Sequence, residues 1–86
     1  MKLFKISQTQ EDGYDTYDSA VVAAPDEAAA RNMNPSGGPS GLGNIQMDWA
    51  RHAYIGWCKS PDQVTVEYLG ETDKPQGVIC ASFNAG

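Results

Sequence analysis

Apolar and polar residues alternate with a period of two over several stretches of the chain, and each stretch predicts a strand. In residues 2–8, Phe4 and Ile6 fall on one face and Leu3 and Lys5 on the other. Residues 9–15 are polar and contain Gly13, which predicts a turn. In residues 16–24, Tyr17, Ser19, Val21 and Ala23 share one face, and Asp18, Ala20, Val22 and Ala24 the other. Two strands joined by so short a polar loop pair most simply as an antiparallel hairpin. Residues 63–71 alternate most clearly, Val64, Val66 and Tyr68 against Thr65, Glu67 and Leu69. Residues 78–83 form a last strand, and the unbroken apolar run from Val78 to Ala81 predicts a central strand covered on both faces.

Between the second and third strands the period changes. Pro25 suits a helix start, and Asp26 and Glu27 put negative charge at the positive end of a helix dipole. Ala28, Ala29, Ala30, Arg31, Asn32 and Met33 continue a helix of about two to three turns, which Asn34-Pro35 ends. A helix so short needs the sheet to hold it, through some of its alanines and Met33. Residues 34–44 hold four of the nine glycines and two of the five prolines, and predict a flexible loop. Residues 45–59 fit two templates. Ile45, Trp49, His52 and Tyr54 suit a helical face, whereas Tyr54, Ile55 and Trp57 suit a short strand. Ser60-Pro61-Asp62 and residues 72–77 predict turns. The order is β-β-α-insert-β-β. The expected fold is α+β: a four-stranded, mostly antiparallel sheet with one short helix packed on a face.

Length makes residues 1–86 a single domain with a modest core and no room for a deep pocket. The formal net charge of −5 disfavours direct binding of nucleic acid or anionic membrane. It suits a basic partner, although acidity also serves plain solubility. No secretory leader or membrane-spanning run is visible, so the expected location is the cytoplasm. There Cys58 and Cys80 should be thiols. With no CxxC spacing they read as small apolar core residues instead of metal ligands.

The sequence carries no recognisable catalytic site, and no cofactor or metal is expected. His52 is the single histidine, and a pairing with Cys58 or Cys80 has no protease signature around it. Gly41-Leu42-Gly43 resembles half of a dinucleotide fingerprint, but Gln46 stands in place of the third glycine and a helix precedes it. Asp12 to Asp18 lacks the spacing of a calcium loop. Residues 11–27 hold six of the eleven acids and no Lys or Arg. Tyr14, Asp15, Tyr17 and Asp18 therefore form a candidate acidic, aromatic contact for a basic groove, against the plainer reading of a solvated hairpin tip. Trp49, Arg51, Tyr54 and Trp57 are of the residue types that dominate interface hot spots, although at least one tryptophan is expected in the core.

The opening Met1-Lys-Leu-Phe-Lys-Ile-Ser-Gln8, the stretch Tyr14-Asp-Thr-Tyr-Asp-Ser-Ala-Val-Val22 and the ending Gly77-Val-Ile-Cys-Ala-Ser-Phe-Asn-Ala-Gly86 resemble a family of small phage and prophage accessory proteins. Residues 34–58 carry no such match, and no activity or binding residue comes with it. The resemblance implies a setting in which small acidic proteins inhibit a host protein, including CRISPR and other defence components. The leading expectation is a non-catalytic phage-type inhibitor that binds a host protein with a basic surface. The alternatives are a nucleotide or other small-ligand binder formed in a homo-oligomer, with a base stacked on Trp49 or Trp57, and an assembly component of a phage that self-associates.

Overall fold

The computed structural model describes residues 1–9, 16–35, 49, 57–58 and 60–84. Four strands, β1 (Lys2–Ser7), β2 (Thr16–Ala24), β3 (Thr65–Glu71) and β4 (Gly77–Asn84), form one sheet in the order β3-β1-β2-β4. Every pairing is antiparallel. One short helix, α1 (Glu27–Arg31), and a 3₁₀ turn at Pro61–Gln63 complete the elements, so the fold is α+β.

The period-two pattern sets the central hairpin. β1 and β2 pair from Lys2↔Ala24 to Ser7↔Ser19, which puts Phe4, Ile6, Ala20, Val22 and Ala24 on one face. All five are buried. Val78 of β4 joins them opposite Val22, and Val66 of β3 opposite Ile6. Ala30 and Met33 from the helical segment, with Trp57, Cys58 and Val64, pack onto the same cluster. Trp57, Ile6, Met33, Val22 and Cys58 are its largest fully enclosed side chains.

The helix is shorter than its alanines predict, and its ends explain why. Asp26 is extended and its Oδ1 accepts from the Ala29 amide at 2.8 Å, an N-cap. At the other end the Asn32 Nδ2 donates to the Ala28 carbonyl at 2.8 Å, which closes the helix one turn after it begins. Arg31 then ties the helix to the far part of the chain. Its Nη1 donates to the carbonyls of Pro61, at 3.2 Å, and Val64, while its Nη2 pairs with Glu27 Oε2 at 3.3 Å.

Irregularities in the ladders re-aim particular side chains. Register shifts place Asp18 as an extra residue between Tyr17↔Phe83 and Ser19↔Ser82, and Ile79 as an extra residue between Val21↔Cys80 and Val22↔Val78. A third shift lies between Leu3↔Gly70 and Phe4↔Tyr68. Next to it Gly70 has φ +141°, and Gly77, at the start of β4, has φ +156°. Both are conformations that a side chain disfavours.

β4 departs from its expected place. It is an edge strand, and Ile79, Cys80, Ala81 and Ser82 are all exposed. A charge-free apolar run has the same appearance in a buried central strand and at an unguarded edge, and only the strand order separates them. Cys80 accordingly lies at the surface, while Cys58 is in the core, and no disulfide joins them.

Candidate functional site

The hairpin end formed by Thr16, Tyr17 and Asp18 carries the part of the candidate acidic contact that lies within the described residues. Gln8, the residue after β1, fixes this end. Its amide donates to the Asp18 carbonyl at 3.2 Å, and its side-chain Nε2 donates to the Tyr17 carbonyl at 2.9 Å. Gln8 is itself buried, so these bonds are held away from water and position the bulge firmly. Tyr17 is half-buried and packs against the core. Asp18 is exposed at the bulge.

The described acids of residues 11–27 differ in what they do. Asp26 caps α1, and Glu27 pairs with Arg31. The Asp18 carboxylate has no ion-pair or hydrogen-bond partner among the described residues. It is the one of the three whose charge is available to a second molecule.

The aromatic half of the candidate contact separates in the structure. Trp57 is fully enclosed, with its indole N–H unpartnered among the described residues. It builds the core, so it offers no surface to a partner and no platform on which a base could stack. Trp49 is half-buried and packs against the core. Its Nε1 donates to Asn32 Oδ1 at 2.8 Å, so the side-chain amide of Asn32 both ends the helix and holds Trp49. Tyr14, Asp15, Arg51 and Tyr54 lie outside the described residues, as do His52 and most of the glycine-rich loop.

Two surface features escape the sequence pattern. Tyr68 and Leu69 on β3 and Ile79 on β4 are large apolar side chains left exposed. Tyr68 meets Phe4 edge-on, with ring centroids 5.7 Å apart, and its hydroxyl donates to Glu71 Oε2 at 2.6 Å. That carboxylate bond, with the negative charge behind it, raises the phenol above its ordinary pKa near 10. The second feature is the uncharged outer edge of β4. At its start a half-open groove of about 240 Å³ is lined by Lys74, Pro75, Gln76, Gly77, Val78 and Ile79. It is smaller than the clefts that enclose typical small ligands.

Among the described residues no three His, Cys, Asp or Glu side chains converge on a point where a metal ion would sit. No helix among them is long and apolar enough to cross a membrane. Comparison with protein-family models, with curated proteins and with solved structures found no match for this chain.

Proposed function

We propose that this chain is a non-catalytic binding protein of phage type that inhibits a host protein, docking on a basic surface through the Asp18 end of its β1–β2 hairpin. Components of CRISPR and other defence systems are the leading class of target. The observation that supports this reading is the contrast among the acids: Asp26 and Glu27 are engaged within the fold, whereas Asp18 is exposed at a bulge and unpaired among the described residues. The acid-only segment around it, residues 11–27, adds charge of the same sign. Complementary charge speeds encounter and selects partners.

The test is capture of partners from bacterial lysate at moderate salt, followed by affinity measurement of the captured protein for variants. Asp18→Lys should weaken binding about tenfold or more, which corresponds to about 1.4 kcal/mol. Glu67→Lys makes the same charge change on β3, which the central hairpin separates from β4, and should leave affinity close to wild type. Equal loss in both variants would reduce the effect to net charge, and no loss in Asp18→Lys would remove the hairpin end from the contact.

A further inference from the structure

We infer that two copies of this chain pair through the outer edge of β4, antiparallel about a two-fold axis, to make a continuous eight-stranded sheet. The two edges of the sheet differ in charge. β3 carries Glu67 and Glu71, charges that guard an edge against further pairing, whereas a register shift is common to both edge strands. β4 reads Gly-Val-Ile-Cys-Ala-Ser-Phe-Asn, with no charge and no proline over eight residues. Its outer side has no neighbour among the described strands, and Ile79, Cys80, Ala81 and Ser82 are exposed. An edge strand leaves alternate N–H and C=O groups unpaired, and a second extended strand is what satisfies them.

Charge selects a second copy as that strand. In a chain of net charge −5, most surfaces of two copies repel. Two β4 edges bring no like charges together at the seam. The guarded β3 edges then lie at the far ends of the eight-stranded sheet, roughly 34 Å apart at about 4.8 Å per strand, well beyond a screening length of about 8–10 Å. The antiparallel arrangement also sets unlike charges toward each other. The exposed Lys74 precedes β4, and the exposed Asp18 lies beside its last residues on β2. Reversing one strand brings the Lys74 end of one copy toward the Asp18 end of the other.

A two-fold axis perpendicular to the sheet keeps equivalent faces on one side, so a residue on the axis meets its own copy on the same face. Centring the pairing on the exposed run sets Cys80 opposite Cys80 of the second copy. Directly opposed Cα atoms in antiparallel pairs are about 4.5–5.5 Å apart, within disulfide reach. Cys80 thus reports the register without being needed for the pairing.

The test is sedimentation equilibrium of the reduced chain over about 1 µM to 1 mM, the span in which weak interfaces dissociate. Wild type and Cys80→Ser should both be dimeric in this range. Ala81→Lys places a charge beside its own copy near the axis and should raise the dissociation constant tenfold or more, while Glu67→Lys on the guarded edge should not. Mild oxidation of the wild-type dimer should cross-link it through Cys80 faster than it cross-links Ala81→Lys. Circular dichroism confirms that each variant is folded, and Ile79→Lys serves as a second edge variant should Ala81→Lys fail to fold. A monomer throughout, or a dimer indifferent to both lysines, overturns the inference. The reduced chain is measured alone, so either result is independent of host-protein binding by Asp18.

Discussion

Arg31 joins α1 to the segment that leads into β3, and its removal tests how much of the fold depends on that one link. Arg31→Met keeps most of the aliphatic stem and deletes the guanidinium. Three contacts go: the bonds to the carbonyls of Pro61 and Val64 and the pair with Glu27. The Pro61 carbonyl still accepts from the Val64 amide at 3.2 Å. The Val64 carbonyl belongs to a buried residue and loses a charged donor. A hydrogen bond to a charged group contributes about 1.5–3 kcal/mol net. The ion pair with Glu27 is an exposed i,i+4 pair and contributes about 0.3–0.5 kcal/mol. The sum for Arg31→Met is about 2–3.5 kcal/mol, a large share of the roughly 5 kcal/mol at the low end for domains. For a domain of this size each kcal/mol shifts Tm by about 4–8 °C, so Tm should fall by about 8–28 °C. Urea and thermal unfolding followed by circular dichroism would measure it, with Glu27→Gln as the control. Glu27→Gln should cost under about 0.5 kcal/mol. The reasoning is refuted if Arg31→Met unfolds within that margin of wild type, or if Glu27→Gln costs as much as Arg31→Met, which would place the energy in the surface pair.

Two further outcomes follow from β3 and the start of β4. The Tyr68 phenol donates to Glu71 only while protonated, so its folded pKa lies above the unfolded value near 10. The stability this bond contributes is complete below the unfolded pKa and is lost as pH rises through the folded one. Phenolate absorbance should show one of the four tyrosines titrating at lower pH in Glu71→Ala than in wild type; superimposable curves would contradict the bond. Gly70→Ala and Gly77→Ala should each cost about 1–3 kcal/mol in urea unfolding. At both sites nothing lies within 4 Å of an added Cβ, so the cost is backbone conformation alone, and unchanged stability would show that the φ angles relax.

The central hairpin is legible in the sequence because alternation largely survives there. Phe4 and Ile6 oppose Lys5, and Ala20, Val22 and Ala24 follow the same period, although Ala23 on the other face is buried as well. The helix is harder to bound, since propensity counts alanines whereas the end is decided by the Asn32 side chain reaching back to Ala28. β4 shows a different limit. Its residues specify a strand, but whether a strand lies at the centre or the edge depends on which partners arrive, and that is a property of the whole chain. The candidate contact has the same character. The acids of residues 11–27 are plain in the sequence, yet which of them serves the fold and which faces outward rests on a cap, an ion pair and a bulge. Trp49 and Trp57 are alike on paper, and their separation into a half-buried anchor and an enclosed core residue needs the packed structure.

The strand order has a consequence for synthesis on the ribosome. β1 and β2 emerge first and form the middle of the sheet, but both flanking strands come from the last part of the chain. Residues 25–64 must be made before β3 can begin to arrive. At about 5–20 residues per second, the nascent hairpin waits about 2–8 s with both sides open. A lone hairpin is marginal in water, so Phe4, Ile6 and Val22 have no stable core to enter during that interval. Slowing translation within residues 25–64 would lengthen the wait and lower soluble yield without altering a single contact of the finished protein.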